Sequence, residues 1–434
     1  FDLREHASER EKLTITAGYY DTVTGELEKA AQTYQDWIES YPRDYRAHLR
    51  LGTVYASQGQ YAKTAGAYRE SLRLNPDSLG PYANLANGLL SLQRFDEARQ
   101  IIREAQARKE DAFILHNSLY ALAFLEADSA AMAEQQQWFA GKPEENIGLA
   151  LASDTEAYGG HLGKARELTK RAVDSAIRVD SKENGAIWQE NAAIEQAAYG
   201  NPAEARQSAA EGLKLAPTSQ GVEVEAALAF AMAGDTARAE SLAQDLGKRF
   251  PLDTLMQSLW LPAIQAQLAL DKKNPTAALN APQAASPIEL GQINFVVNMS
   301  CLYHVYVRGE AYLGAGQGKE AAAELQKIID HSGIVWNCWT GALAHLGVAR
   351  ANVLQAGYAP VGTAGTGHVG TAALGRPAEQ SSAATSAAAN SPADRDAARV
   401  RALAAYKDFL TLWKDADPDI PILKQAKAEY AKLQ

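Results

Sequence analysis

Hydrophobic positions recur along the chain with helical spacing, in pairs of segments joined by short turns. Leu51 and Tyr55 fall on one face of a predicted first helix, and Tyr61, Ala65 and Tyr68 share one face of a predicted second helix. Two short amphipathic helices cannot bury both apolar faces alone, so neighbouring pairs must stack to complete the core. The pattern therefore predicts an all-α chain built from stacked helix pairs.

The helix pairs repeat with a fixed step along the sequence. Several residue classes recur 34 positions apart: Pro42 and Pro76, Pro217 and Pro251, Gly18 and Gly52, Gly25 and Gly59, Tyr34 and Tyr68, Gly200 and Gly234. Glycine between the helices permits a turn with positive φ, and proline marks the break before the next pair. Because independent residue classes keep the same step, the chain is predicted to be a repeat array.

These residues resemble the tetratricopeptide repeat pattern, in which a large residue, Leu-Gly, Tyr, Ala, an aromatic residue and Pro follow one another. The unit YRAHLRLGTVYASQGQYAKTAGAYRESLRLNP, residues 45–76, carries the resemblance best. The resemblance implies an all-α superhelical solenoid of helix-turn-helix repeats. An Ala-, Gly-, Ser- and Thr-rich segment near the C-terminus has almost no large apolar side chains, so it is expected to be a disordered insertion.

The repeat pattern divides the chain into six expected regions. They are the best-formed repeats (1–112), degenerate and regular repeats (113–273), an irregular Pro-containing connection (274–299), late repeats (300–355), the disordered insertion (356–392), and the last repeat helix with a C-terminal cap helix (393–434). The insertion is placed between the two helices of the last repeat. Pro421 is expected in the first turn of the cap helix.

Two segments resemble one group of repeat proteins more closely than they resemble the general repeat pattern. SEREKLTITAGYYDTVTGELEKAAQTYQDWIESYPRD and YKDFLTLWKDADPDIPILKQAKAEYAKLQ resemble the C-terminal repeat region of bacterial eukaryotic-type serine/threonine protein kinases. In that family the kinase domain usually precedes one membrane span and then the repeats. The resemblance implies a periplasmic location for this chain, with a cytoplasmic location as the alternative. Similar repeat regions also follow other N-terminal modules, and the abrupt start at Phe1 indicates a fragment or a processed product.

The balance of charged residues limits the kinds of partner that this chain is expected to bind. The chain of 434 residues has 42 basic and 52 acidic residues and a net charge of −10. This balance argues against nucleic acid as a binding partner, because nucleic-acid-binding proteins normally carry a basic face. It also gives no electrostatic reason to bind an anionic membrane surface. We therefore expect neither nucleic-acid binding nor membrane contact by this chain itself, although a span upstream is compatible with the kinase resemblance.

The sequence offers little catalytic chemistry. It contains no H-R-D, D-F-G or V-A-I-K motif of a kinase, no nucleophile elbow and no P-loop. The one glycine-rich match, Gly365, Gly367 and Gly370 in GTGHVG, lies inside the low-complexity segment without flanking strand or helix, so it is interpreted as accidental. The eight histidines are scattered and predict no metal site. We expect no enzyme activity, cofactor or metal.

Two cysteines and two nearby tryptophans allow structural or functional interpretations. Cys301 and Cys338 precede successive first helices, which stack about 10 Å apart, whereas disulfide Cα atoms need less than about 7 Å. Two inert buried thiols are therefore favoured over a disulfide, which an extracytoplasmic location would support. Trp336 and Trp339 are interpreted as core residues, with a partner-binding anchor as the alternative.

The repeat geometry predicts where a partner would bind. First helices of such repeats line a concave groove, and positions two, five, six and nine of each unit point inward. The candidate groove residues are Arg46, Leu49, Arg50, Thr53, Asn84, Asn87, Asn117, Tyr303, Tyr306 and Glu310. The alternative for all of them is a merely solvated lining. A Lys/Asn/Arg clamp for acidic peptide C-termini is not reproduced at these positions.

The sequence thus predicts a non-catalytic scaffold that binds a protein or peptide in its groove, as part of a kinase-type bacterial signalling protein. One alternative is a self-association module that brings attached catalytic domains together as a homo-oligomer. A second alternative is a repeat region attached to a different N-terminal module. Fold alone does not choose among them, because solenoids bind many kinds of partner.

Overall fold

The structure is almost entirely helical. The computed structural model describes residues 1–108, 111–281, 288–293, 298–358 and 391–434. These residues form twenty-two α-helices and no strand. Most of the segment predicted as an insertion, including Gly365, Gly367 and Gly370, lies outside the described residues.

The helices follow one another with short connections. They are α1 (Glu9–Gly18), α2 (Leu27–Ser40), α3 (Tyr45–Ser57), α4 (Tyr61–Leu74), α5 (Leu79–Ser91), α6 (Phe95–Ala107), α7 (Phe113–Leu125), α8 (Ser129–Phe139), α9 (Glu145–Tyr158), α10 (Leu162–Arg178), α11 (Lys182–Ala198), α12 (Pro202–Leu215), α13 (Gln220–Met232), α14 (Thr236–Arg249), α15 (Leu261–Asp271), α16 (Pro275–Asn280), α17 (Tyr303–Gly314), α18 (Gly318–Asp330), α19 (Ser332–Val335), α20 (Trp339–Gln355), α21 (Pro392–Leu412) and α22 (Pro421–Leu433). A 3₁₀ turn covers Asp2–His6, and π-helical turns cover Tyr19–Thr24 and Met256–Trp260.

The helices pack in consecutive antiparallel pairs, as the 34-residue step predicts. In the pair α3 and α4, the Asp44 side chain accepts a hydrogen bond from the Arg46 amide at the start of α3. Gly59 then adopts a φ of 71° in the turn, a conformation that glycine reaches without steric cost. The Ser71 hydroxyl donates to the Tyr45 carbonyl at 2.9 Å and ties the two helices together. The predicted all-α solenoid is confirmed.

The C-terminal helices depart from the simple repeat. The short helix α19 is an addition between α18 and α20. Helices α20 and α21 pack on each other although 36 residues separate Gln355 from Pro392. Pro421 occupies the first turn of α22, as predicted for the cap helix.

Successive turns of the superhelix contact one another directly. The Gly25 carbonyl accepts a hydrogen bond from the Thr254 amide at 2.9 Å, and the Tyr61 hydroxyl donates to the Leu290 carbonyl at 2.7 Å. Farther along, the indole of Trp413 donates to the Tyr158 carbonyl at 2.9 Å. These contacts join segments more than 200 residues apart, and one continuous apolar core extends from the early repeats to α22.

The pairing of α3 with α4 depends on the missing side chain of Gly52. A Cβ atom at Gly52 would lie 2.5 Å from the ring of the buried Tyr68. Gly52→Ala is therefore expected to lower the free energy of unfolding by about 1–3 kcal/mol through overpacking. Urea denaturation followed by circular dichroism measures the change.

Gly66 in α4 is the matched control, because it is exposed and nothing lies within 4 Å of the Cβ position. Gly66→Ala is expected to raise stability by about 0.5–1 kcal/mol through helix propensity. Equal effects of the two substitutions would contradict the close approach of α3 and α4.

Candidate functional site

Two of the predicted groove residues line a recess between the first turn of the superhelix, which contributes residues 21–57, and the second turn, which contributes residues 220–260. The recess has a volume of about 330 Å³ and includes Arg50 and Thr53 of α3. Its opposite wall comes from α13 and from the segment that follows α14, with contributions from Gln220, Val224 and Trp260. Sequence reasoning placed Arg50 and Thr53 on the inner surface but gave no sign of this opposite wall. We call this cavity the Arg50 recess.

Two hydrogen bonds of Thr254 hold the walls of the Arg50 recess together. The Thr254 amide donates to the Gly25 carbonyl, and the Thr254 hydroxyl accepts a hydrogen bond from the Leu27 amide at 3.1 Å. Gly25 has a φ of 67°, and a Cβ atom there would lie 2.6 Å from a carboxylate oxygen of Asp253. The close packing at Gly25 therefore fixes the recess wall, which contains both Gly25 and Asp253.

The charged groups of the recess differ in the number of hydrogen bonds that they make. Asp253 accepts a bond from the Gln220 amide group at 3.0 Å and another from the Met256 backbone amide at 2.8 Å. Asp21 accepts one bond, from the Tyr34 hydroxyl at 3.2 Å. Arg50 is exposed and makes no direct hydrogen bond or ion pair with any residue that the structure describes.

Charge and burial act in opposite directions on Asp21. Burial raises the pKa of its carboxyl group above the ordinary value, while the hydrogen bond from Tyr34 and the positive charge of Arg50 lower that pKa. Because the pKa stays raised overall, the burial of Asp21 is only partly compensated. A positively charged ligand group would therefore be stabilised beside this carboxylate.

The other predicted residues of the early repeats do not line the Arg50 recess, and they differ in exposure and contacts. Arg46 is exposed, and its guanidinium lies 5.3 Å from the Tyr45 ring centre. Leu49 and Asn84 are half-buried. The Asn87 side-chain oxygen accepts a bond from the Ser118 hydroxyl at 2.7 Å and so links α5 to α7.

Asn117 on α7 is buried. None of the predicted residues of α5 or α7 lines the Arg50 recess.

The three predicted residues of α17 differ in exposure, because Glu310 is half-buried and the two tyrosines are buried. Tyr303 and Tyr306 are buried, and both rings contact Trp339, with ring centres 5.9 and 4.9 Å from that indole. Tyr306 and Glu310 line a second cavity of about 50 Å³. Arg350 also borders this cavity, and Glu429 neutralises its guanidinium through two hydrogen bonds of 3.1 Å.

The structure also collects acidic residues on the inner surface, which sequence reasoning missed. Asp154 of α9, Glu195 of α11 and Glu225 of α13 lie close enough for the charge of Asp154 to raise the pKa values of the other two carboxyl groups. Burial is the larger cause of each shift. Glu225 occupies the sixth position counted from the start of α13, so the inward-facing register used for α3 would have identified it.

The structure joins Cys301 and Cys338 in a buried disulfide with a Cα–Cα distance of 5.6 Å. The expectation of two free thiols is therefore wrong. It applied the spacing of stacked first helices to residues that precede those helices: Cys301 lies in the loop before α17 and Cys338 in the turn between α19 and α20. These loops approach more closely than helix axes can.

The disulfide stabilises a loop that fills the inner surface beside α9. Next to Cys338, the side-chain amide of Asn337 donates to the Leu151 carbonyl at 2.8 Å and to the Thr155 hydroxyl at 3.0 Å. Trp336 and Trp339 are both buried, which agrees with their interpretation as core residues. The chain itself therefore occupies this part of the inner surface.

The described part of the chain shows neither a metal-binding cluster nor a helix able to span a membrane. Within those residues, no group of three or more His, Cys, Asp or Glu side chains is placed to hold a metal ion. Across the same part of the chain, none of the helices combines the length and the apolar character needed to cross a bilayer.

Breaking the disulfide should destabilise the fold, because the bond restricts the unfolded chain. The double variant Cys301→Ser with Cys338→Ser is expected to lose about 2–4 kcal/mol of unfolding free energy. Urea denaturation with and without reductant measures this loss. Reductant should lower the midpoint of the wild-type protein and leave that of the double variant unchanged; an unchanged wild-type midpoint would contradict a stabilising role.

The buried carboxyl groups predict a loss of stability as the pH rises. Burial raises the pKa of Asp154 from 3.8 to about 7. The folded state therefore keeps a proton that the unfolded state releases, and the free energy of unfolding falls between about pH 4 and pH 7. Asp154→Asn should reduce this decline, measured by urea denaturation at several pH values. Asp36→Asn, on the exposed side of α2, is the control and should keep the wild-type dependence.

One family model matches part of the early repeats. Residues 55–123 match the family model described as tetratricopeptide repeat. The sequence matches no curated protein at a significant level.

Among solved structures, the chain is similar to yeast Tom70, at 13% identity and a TM-score of 0.36, over 98% of this chain and 95% of that one. It is also similar to human IFIT1, solved as a dimer with m7Gppp-AAAA, at 13% identity and a TM-score of 0.44, over 94% and 86% of the two chains. A tetratricopeptide repeat protein from Parabacteroides merdae is similar at 13% identity and a TM-score of 0.26, over 78% and 97%. The family match and the helix pairs together show an all-α solenoid that carries tetratricopeptide repeats.

Proposed function

We propose that this chain is a non-catalytic interaction and sensory scaffold within a bacterial serine/threonine kinase-type signalling protein. The repeat solenoid supports the scaffold role, because stacked repeats present an extended inner surface for binding. The resemblance of the N-terminal and C-terminal segments to kinase-associated repeat regions supports the signalling role. The Arg50 recess is the observation that carries the proposal, since there two predicted groove residues line a cavity, and one of them, Arg50, makes no direct hydrogen bond or ion pair with the described part of the chain.

The remaining inner surface is a poorer binding site. Tyr303 and Tyr306 are covered by Trp339, and the loop around Asn337 occupies the surface beside α9. A partner that binds this protein therefore meets the early repeats, α3 and α5, before any other part of the inner surface.

We place the chain on the extracytoplasmic side of the membrane in this proposal. The disulfide between Cys301 and Cys338 supports that side, because disulfides persist in oxidising compartments and are rare in the cytosol. The kinase resemblance points to the same side. A cytoplasmic protein would need another explanation for the bond.

The kinase association is tested by the reading frame that precedes Phe1 in the genome. It is expected to encode a kinase domain with H-R-D and D-F-G motifs, followed by one apolar span. A different N-terminal module would overturn the kinase part of the proposal and leave the scaffold part standing.

The scaffold role is tested by site-specific photo-crosslinking in cells. A photoreactive residue at Asn84, on the inner side of α5, is expected to give defined protein adducts that the double substitution Arg46→Glu with Arg50→Glu diminishes. The melting temperature is measured in parallel and is expected to fall slightly, because Arg50→Glu replaces the positive charge that partly compensates the burial of Asp21 with a negative one.

The exposed Arg103 on the second helix α6 is the control position and should give no such adduct. Equal crosslinking from both positions, or adducts that survive the charge reversal, would argue against binding at the inner surface. Adducts between two copies of this chain, with a doubled mass in light scattering, would identify the self-association module instead.

A further inference from the structure

The Arg50 recess has the features of a small-ligand site. Its volume of about 330 Å³ lies at the small end of the range for ligand pockets. Its walls come from segments about 200 residues apart and are joined by two hydrogen bonds, from the Thr254 amide to the Gly25 carbonyl and from the Leu27 amide to the Thr254 hydroxyl. Such a preformed cavity needs little reorganisation to accept a ligand.

Two opposite charges face this cavity without forming a direct pair. Arg50 has five N–H donors and makes no direct hydrogen bond with the residues that the structure describes. Asp21 accepts one hydrogen bond, from Tyr34, although a carboxylate has about four acceptor positions. Asp253, the third charged group of the wall, already accepts hydrogen bonds from the Gln220 side chain and the Met256 amide. The recess therefore offers one cation and one carboxylate to a ligand.

Besides its charged groups and the polar side chains of Thr22, Thr53, Ser57 and Gln220, the recess has an apolar part. Val224 of α13 and three residues after α14, Leu255, Met256 and Trp260, contribute to its lining. Met256 and Trp260 are buried, so the structure holds them in place. An apolar group lying against these side chains would be removed from water, which is favourable.

We propose that the Arg50 recess binds a free zwitterionic amino acid with an apolar side chain. The guanidinium of Arg50 receives the α-carboxylate, in the fork geometry that suits carboxylates. Asp21 receives the α-ammonium group, and the apolar side chain lies against Leu255, Met256 and Trp260. This inference goes beyond the scaffold role, since it supplies the small molecule that a sensory region would detect.

The test is isothermal titration calorimetry of the whole chain with L-leucine, L-methionine and L-phenylalanine. At least one is expected to bind, and its affinity should fall by about tenfold or more in Arg50→Gln and in Asp21→Asn, because each variant loses a charged hydrogen bond. The Arg103→Gln variant on the outer helix α6 is the matched control and should bind like the wild type.

Two ligand analogues separate the charges. L-leucinamide lacks the carboxylate and N-acetyl-L-leucine lacks the ammonium group, so both should bind at least about tenfold more weakly than L-leucine. The leucinamide loss should disappear in Arg50→Gln, and the N-acetyl-leucine loss should disappear in Asp21→Asn. Such paired losses assign each charge of the ligand to one residue of the recess.

Three results would overturn the proposal. They are absence of binding by all three amino acids up to about 10 mM, unchanged affinity in Arg50→Gln, and equal binding of N-acetyl-L-leucine and L-leucine. The last result would indicate a peptide segment as the occupant. Failure of the calorimetric test would leave the crosslinking result at Asn84 unaffected, so the scaffold role and the amino-acid site stand or fall separately.

Discussion

The direct contact between successive turns of the superhelix determines most of what is distinctive in this molecule. Hydrogen bonds from the Thr254 amide to the Gly25 carbonyl and from the Leu27 amide to the Thr254 hydroxyl bring the second turn against the first. They require a glycine at position 25, where the left-handed conformation and the close approach of Asp253 leave no room for a side chain. Because the turns touch, residues that an open solenoid would expose to a groove become recess walls or core.

The same contact explains the polar interior. Inward-facing positions of a solenoid are ordinarily hydrated, so carboxylates and tyrosines there carry little cost. Here Asp154, Glu195 and Glu225 lose that water, and burial raises the pKa of each carboxyl group. The fold tolerates them because protonated or hydrogen-bonded carboxyl groups avoid much of the cost of burying a charge. The stability of the fold therefore depends on pH through these carboxyl groups, whereas the apolar side chains of the core do not titrate.

The disulfide and the loop around Asn337 close the inner surface from the other side. Cys301 and Cys338 connect loops that flank α17 and α20, and Asn337 bonds the backbone of α9. The accessible part of the inner surface therefore lies in the early repeats, where Arg50 is exposed and makes no direct hydrogen bond or ion pair with the residues that the structure describes.

The sequence by itself determined the helix pairs, their 34-residue step and the turn at Gly59, because these depend on contacts within one repeat. It also placed Arg50 and Thr53 on the inner surface, since that position follows from helical register. Only the tertiary structure decided that Val224 and Trp260 face them, that Tyr303 and Tyr306 are buried, and that Cys301 meets Cys338. Those relations depend on the pitch of the superhelix and on the paths of irregular loops. Small packing angles, summed over many repeats, set the pitch, and no local sequence pattern encodes that sum.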